Sequence, residues 1–462
     1  MSPESYTMED RVENRRDDNG SQGNPRLTGQ RADINLKYLT RQVQAKLLHH
    51  YPDVFREATS DPVRKAQLLS VVSRFLIAEG PYLDRHTRED LARTIVHEIA
   101  GYGPIEPLLS DPEVNEIMVN GPDRIFVERN GAIVPYAGRF EGEEHLIEVI
   151  NRIVAPLGRR VDQSSPYVDA RLPDGSRINA IIGPLSLDGP VLTIRKFPKE
   201  RLTIDDLVRL GTLSEEMAEF LEVCVKARLN IVVSGGASSG KTTTLNALLS
   251  FIPDGLERVI TIEDAAELKL LQTHVVRLES RPPNLEGRGE VTIRQLFRNA
   301  LRMRPDRIII GECRGEEAFD MVQALSTGHF GSMSTVHANS TLQALRRIEA
   351  MASMGNASVS RRVLSDLVRD AIDLLVHQSR FPDGRKIVGI AFVLKNPGPL
   401  EHTLQDVFKF QACPDARDPL EVRPAARFAR VLKPPAPDFL VEKAALSGVK
   451  LPRWLLEGES HS

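Results

Sequence analysis

Apolar residues change their spacing along this chain, and each change predicts a different kind of element. Residues 1–35 show no periodic apolar face and are rich in Asp, Arg, Asn, Gly and Ser, which predicts a disordered N-terminus. From residue 36 the pattern turns helical. Leu68, Leu69, Val72, Phe75 and Leu76 recur at three- and four-residue spacing, and a second helical stretch runs over 87–99 until Gly101, Gly103 and Pro104 break it. These stretches define a helical region over 36–108.

Residues 109–198 read as a mixed α/β domain with a linker. Ile125, Phe126 and Val127 are separated from Ile133 and Val134 by Asn130-Gly131, two residues that tolerate positive φ and so predict a hairpin. A helix is expected over 143–154. Strands at 168–171 and 177–182 flank a Pro173-Asp174-Gly175 turn, and a last strand covers 191–194. Over 199–396 short apolar runs at 231–233, 259–262, 275–278 and 308–310 alternate with helical stretches, which predicts a largely parallel sheet with crossover helices. The tail, 397–462, is proline-rich and reads as irregular.

Composition narrows the possibilities. The chain has 462 residues, 41% hydrophobic and 27% charged, with a net charge of −3. That balance is ordinary for a soluble protein and carries none of the basic excess of a nonspecific nucleic-acid binder. The three cysteines, Cys224, Cys313 and Cys413, are far apart and form no metal-ligand spacing or disulfide framework, as expected in a reducing cytoplasm. The first 16 residues are too polar for a signal peptide, and the longest apolar run, 387–394, is far below a membrane span. Membrane association is therefore expected to be peripheral, through a partner.

The chemistry is concentrated after the run Ile231-Val232-Val233-Ser234. There follow Gly235, Gly236, Ala237, Ser238, Ser239, Gly240, Lys241 and Thr242, which match G-x-x-x-x-G-K-[ST] in full, and Thr243 continues into a helix. Strand, loop and helix in that order form a phosphate cradle. Glycines let backbone N–H groups turn inward, and the helix N-terminus favours an anion. Lys241 supplies charge for the β- and γ-phosphates, and Thr242 offers a hydroxyl to Mg²⁺.

Hydrolysis also needs acids. Ile308-Ile309-Ile310-Gly311-Glu312 is an apolar strand ending in a carboxylate that could reach the metal; an ordinary acid at a strand end has the same pattern. Ile260-Thr261-Ile262 ends in Glu263 and Asp264, with Glu267 beyond. Glu263 suits orientation or deprotonation of water, while Asp264 and Glu267 also fit the cap of a helix. His329 and His337 lie among small polar residues, where they could contact a terminal phosphate or serve structure alone. Arg171, Arg177 and Arg195 precede the loop and suit phosphate recognition, or they are solvated hairpin arginines. Arg294, Arg298 and Arg302 form a stripe on an expected helix, usually a charged face.

These segments resemble the bacterial type II/type IV secretion ATPase superfamily. The resemblance rests on 235–242, on Glu263 to Leu268, on Arg302 to Asp306 leading into Gly311 to Gly315, and on Thr327 to His329 continuing to His337-Ala338-Asn339. Residues 162–177 and 115–121 further resemble the CpaF branch, the assembly ATPases of tight-adherence pili. The resemblance implies a RecA-like P-loop motor domain preceded by a mixed α/β domain and a helical extension. It implies ATP and Mg²⁺ as cofactors, Thr242 and Glu312 at the metal, and catalytic roles for Lys241, Glu263, Glu312, His329 and His337. Arg171, Arg177 and Arg195 would approach the phosphates. It further implies a homo-oligomer, usually a hexamer, at the cytoplasmic side of the inner membrane, working on a membrane platform protein to power pilus assembly or secretion. No specific nucleic acid is expected, and the Cys-pair zinc insertion of some relatives is absent. The alternatives are a RecA-like nucleic-acid translocase and a nucleotide-dependent scaffold with little turnover; a GTPase lacks support, because no Asn-Lys-x-Asp motif occurs.

Overall fold

A computed structural model describes residues 42–43, 45–47, 62–79, 84–129, 131–197, 201–283, 288–395, 404–412, 426–432 and 434–456. The expected disorder of 1–35 lies outside them. The chain divides into two compact units, 1–196 and 197–462.

The first unit begins with helices α1 (Pro62–Glu79) and α2 (Arg85–Ala100), followed by a short α3 (Glu106–Ser110). Leu68, Val72 and Leu76 of α1 pack with Leu91, Ile95 and Val96 of α2 in a small apolar cluster. Asp84 caps α2 by accepting from Thr87 N at 3.0 Å. Six strands follow: β1 (Val114–Asn120), β2 (Ile125–Arg129), β3 (Ala132–Tyr136), β4 (Tyr167–Arg171), β5 (Arg177–Ile181) and β6 (Val191–Arg195). They form one antiparallel sheet in the order β3-β2-β1-β6-β5-β4. Gly131 and Gly175 take φ of 83° and 94° in the two tight turns, a conformation only glycine adopts cheaply. One face of the sheet is covered by α4 (Glu143–Val154), whose Leu146, Val149, Ile150 and Ile153 repeat at helical spacing and bury against Ile117, Val119, Leu192 and Ile194.

The second unit opens with α5 (Ile204–Arg209) and α6 (Glu215–Lys226), then alternates strands and helices. These are β7 (Ile231–Gly235), α7 (Lys241–Leu248), β8 (Val259–Glu263), β9 (Val275–Glu279), α8 (Ile293–Ala300), β10 (Arg307–Cys313), α9 (Glu317–Ser326), β11 (Met333–His337), α10 (Thr341–Gly355), α11 (Arg361–Ala371), β12 (Leu374–Phe381) and β13 (Gly384–Val393). Strands β12-β7-β11-β10-β8-β9 are parallel neighbours, so the expected parallel sheet is present. Helices cover both of its faces. Ile231 and Val233 of β7 face a core built with α6 and α7, while Val232 faces a second core built with α8 to α11. Burial on both sides explains why these strands read as unbroken apolar runs.

The tail corrects one expectation. Instead of irregular chain, 404–456 contains β14 (Leu404–Ala412), β15 (Ala426–Arg430), α12 (Asp438–Leu446) and α13 (Arg453–Leu456). Strands β14 and β15 extend the sheet antiparallel beyond β13. Trp454 packs 5.9 Å from both Phe220 and Phe408, with the Arg430 guanidinium 4.8 Å over its ring. Few apolar residues carry this packing and they are spread over separate segments, so no periodicity announces it.

Asp373, 1% exposed at the start of β12, ties the tail to the sheet. It accepts from Asn230 N at 2.8 Å and pairs with Lys395 at 3.0 Å and with Lys443 of α12 at 2.5 Å. Asp373→Ala removes the shared carboxylate and leaves both ammonium groups partly buried. It is expected to destabilise the second unit by about 3 kcal/mol, read as an earlier urea transition followed by Trp454 fluorescence.

Candidate functional site

Strand β7 delivers the phosphate loop between β11, which ends level with it, and β12, which runs on past it. Its last residue, Gly235, pairs with His337 of β11 on one side and Gln378 of β12 on the other. A Cβ at Gly235 would collide with the Gln378 carbonyl and the Ser239 hydroxyl. The chain then leaves the sheet, with Ser238 at φ 54° and Gly240 at φ 95°, and enters α7. Left-handed residues in such a loop aim successive N–H groups at one point, the requirement for anion binding. Inside the loop, Ser239 Oγ donates to the Gly236 carbonyl at 3.0 Å and Lys241 Nζ to the same carbonyl at 2.9 Å. Ala237 lines the adjoining cleft, and Thr242 and Thr243 follow in the first turn of α7, half-buried.

Two residues that sequence reading missed hold this loop from outside. Gln378, 1% exposed, accepts from Thr244 Oγ1 at 2.6 Å. Arg385, on the facing strand β13, donates to the Ser238 carbonyl at 3.1 Å. A Cβ at Gly240 would lie 3.0 Å from both side chains. The available signal was position: strands that flank a phosphate loop must supply polar partners.

His337, Glu312, Lys241 and Glu263 come together at the ends of adjacent parallel strands, where α/β sheets bind ligands. Lys241 Nζ is 3.4 Å from His337 Nδ1, and His337 Nε2 is 2.7 Å from Glu312 Oε1. That contact is not a hydrogen bond, and Glu312 Oε1 is buried with no other partner. Its other oxygen accepts from Arg314 Nε at 2.8 Å, and Arg314 reaches Asp264 at 3.3 Å. Burial and then the Lys241 charge lower the His337 pKa, so the imidazole is neutral at pH 7.

Glu263 is 2% exposed and sits against Gly311, where a Cβ would come within 2.8 Å of its Cγ. Its Oε1 accepts from the N–H groups of Glu267 and Leu268 at 2.9 and 3.0 Å. The alternative reading of Asp264 and Glu267 as a helix cap is not met: no helix forms there, and the Glu263 carboxylate takes those amides instead. Burial, opposed by the two amides, pushes the Glu263 pKa up to about 7. Its Oε2 is buried without a partner.

Glu263 Oε2, buried without a partner, and Glu312, whose Oε1 meets only the imidazole of His337, fit an incoming water and a hydrated cation beside the phosphate cradle. Hard oxygen donors from Thr242 and Glu312, completed by phosphate oxygens, are the set that Mg²⁺ takes.

His329 is not part of this arrangement. It precedes β11, whereas His337 ends it, and a five-residue strand at about 3.3 Å per residue puts the two at opposite ends of that strand. Its Nδ1 lies 3.2 Å from the Ala324 carbonyl, a structural contact. Arg294 and Arg298 are likewise structural, pairing with Asp320 at 2.5 and 2.8 Å. Helix α8 ends at Ala300, so Arg302 lies beyond it. In the first unit, Arg171 pairs in register with Arg177, and Arg177 with Arg195, so the three arginines form one row across β4, β5 and β6. Like charges opposite one another are unfavourable by themselves, and an anion relieves them.

The raised Glu263 pKa has a signed consequence for stability. The fold favours the neutral acid, so this group's contribution is largest below pH 4.5 and is lost as pH rises to about 7. The loss amounts to at most about 3 kcal/mol. Glu263→Gln is expected to flatten the fall in stability between pH 5 and 8, measured by urea denaturation at each pH.

Comparison with known proteins identifies the family. The sequence model for type II/IV secretion system proteins matches residues 98–382. The chain is 34% identical to the conjugal transfer protein TrbB of Rhizobium radiobacter over 60% of this chain and 83% of that protein. It is 32% identical to the type IV secretion system protein VirB11 of Brucella suis over 59% of this chain and 83% of that one. The crystal structure of the Brucella suis VirB11 ATPase with sulphate aligns over 63% of this chain and 92% of its own, at 30% identity and a TM-score of 0.35. With a P-loop, strand-end acids and a partnered histidine on a parallel sheet, and with the family match over residues 98–382, more than half of the chain, the chain belongs to the type II/IV secretion system ATPase family.

Proposed function

We propose that the chain is an ATP-hydrolysing motor of the tight-adherence pilus branch, active as a ring and most simply a hexamer. It would work at the cytoplasmic side of the inner membrane on a platform protein. The observation that carries the ATP-hydrolysing reading is the contact chain Lys241–His337–Glu312 at the mouth of the phosphate loop, with the unpartnered Glu263 Oε2 on a neighbouring strand. No helix among the described residues is long and apolar enough to cross a membrane, and coupling to a membrane machine would run through partners.

The proposed chemistry divides among these residues. Loop amides and Lys241 hold the phosphates. Thr242 and Glu312 would hold Mg²⁺, which would supply positive charge to the phosphate oxygens. Glu263 orients the attacking water and takes its proton on Oε2, a task suited to an acid whose pKa is about 7. Neutral His337 connects Lys241 to Glu312 and so couples the phosphate end of the site to the metal end. The row Arg171, Arg177 and Arg195 supplies positive charge to the terminal phosphate as hydrolysis proceeds. Charge supplied in one nucleotide state and released in the other is what can drive a conformational cycle.

A second reading has the names of the relatives behind it: TrbB and VirB11 are named for conjugal transfer and type IV secretion. On that reading the motor serves a secretion channel in place of a pilus. Hydrolysis stimulated by single-stranded DNA would favour it.

Hydrolysis per chain, measured across protein concentration, is expected to rise cooperatively and to vanish in Lys241→Ala. Turnover that is independent of concentration removes the ring from the proposal. Arg171→Ala is expected to lose at least tenfold in turnover while binding ADP within about twofold of the parent. Normal turnover in that variant takes the arginine row out of the mechanism.

A further inference from the structure

Beside the phosphate loop lies a cleft of about 450 Å³, lined by Gly236, Ala237, His337, Asn339, Gln343, Arg346 and Arg347 among others. Gly236 and Ala237 open the loop, and His337 is 3.4 Å from the Lys241 ammonium that serves the β- and γ-phosphates. The cleft therefore shares a wall with the terminal-phosphate end of the cradle. Its opposite wall is helix α10. Ser340 caps that helix by accepting from Gln343 N at 3.2 Å, which fixes the helix directly after His337-Ala338-Asn339. The cleft wall is also tied to the loop: Ala338 N donates to the Gly235 carbonyl at 3.3 Å.

Arg346 and Arg347 are exposed on this wall, and among the described residues neither has a carboxylate partner. Arginines on the neighbouring helices do find partners: Arg294 and Arg298 pair with Asp320, and Arg361 with Glu349. Two adjacent guanidinium groups without carboxylates, turned into a concave site next to a phosphate loop, form a positive pocket with no protein anion to fill it. The charge of Arg347 also reaches His337, where it adds to the lowering of the imidazole pKa.

We propose that Arg346 and Arg347, with Asn339 and Gln343, form an anion site within the motor unit that contacts the terminal phosphate of ATP and is left empty by ADP. This inference rests on the proposed ATPase reading and deepens it. It gives the second unit its own means of telling triphosphate from diphosphate, separate from the arginine row of the first unit. The planar fork of arginine suits a phosphate's oxygens better than a lysine does.

The test is a binding titration of the full chain with ADP and with a non-hydrolysable ATP analogue, both with Mg²⁺. It compares the parent with Lys241→Ala, the double variant Arg346→Gln/Arg347→Gln, and Arg346→Lys/Arg347→Lys. The double glutamine variant is expected to lose about tenfold or more in analogue affinity while ADP stays within about twofold, with partial recovery in the lysine variant. Unchanged ADP binding also reports that the unit is folded. Equal loss for both nucleotides, or no loss for either, overturns the proposal while leaving the ATPase reading intact. If the parent binds neither nucleotide, or Lys241→Ala binds both as well as the parent, the ATPase reading fails and the anion site falls with it.

Discussion

Crowding at the end of β7 is the constraint on which the site depends. Gly235 lies between His337 and Gln378, with the Gln378 carbonyl and Ser239 hydroxyl so close that no side chain fits. Because Gly235 is held in register between His337 and Gln378, the loop that follows has fixed walls. His337 on one side brings in Glu312 and Lys241. Gln378 on the other braces α7 through Thr244, and the hairpin partner Arg385 holds the loop at Ser238. Loops that bind phosphate by backbone N–H groups depend on such fixed geometry, since the binding groups themselves have little freedom to adjust.

The two-faced burial of the sheet sets the electrostatics. Strand β8 is buried along its whole length, so its last residue, Glu263, ends in a place from which water is excluded. Its one satisfied oxygen takes two backbone amides, and the other is buried without a donor. A carboxyl that would be fully ionised in water is thereby poised near neutrality. Glu312, one strand over, keeps contact with Arg314 and His337 and stays in a more polar setting. Two acids at similar strand ends thus have different environments, the arrangement that separates an acid–base group from a metal-binding one.

Much of this was legible in the sequence. The phosphate loop, the parallel strands and helix α4 are local patterns, set by residues close together in the chain. The acids Glu263 and Glu312 were legible because each ends an apolar strand. His337 and His329 looked alike in sequence, and only strand direction separates them: one ends β11, the other precedes it. The clasp by Gln378 and Arg385 and the cationic cleft of Arg346 and Arg347 depend on contacts across more than 100 residues, which no local pattern encodes. The tail was missed for the same reason. Its apolar residues pack on a core laid down some 200 residues earlier, with Trp454 against Phe220.

The antiparallel extension also bears on how the protein can be shortened. Strand β14 occupies the outer side of β13, a ten-residue strand. A chain ended before residue 404 would leave that side as a row of unpaired backbone groups, next to the aromatic faces of Phe220 and Phe392 that Trp454 and Phe439 cover in the intact protein. Open edges of that length are templates for strand addition between molecules. The proline-rich C-terminal region is thus a protective cap, and its removal would be felt first as poor solubility.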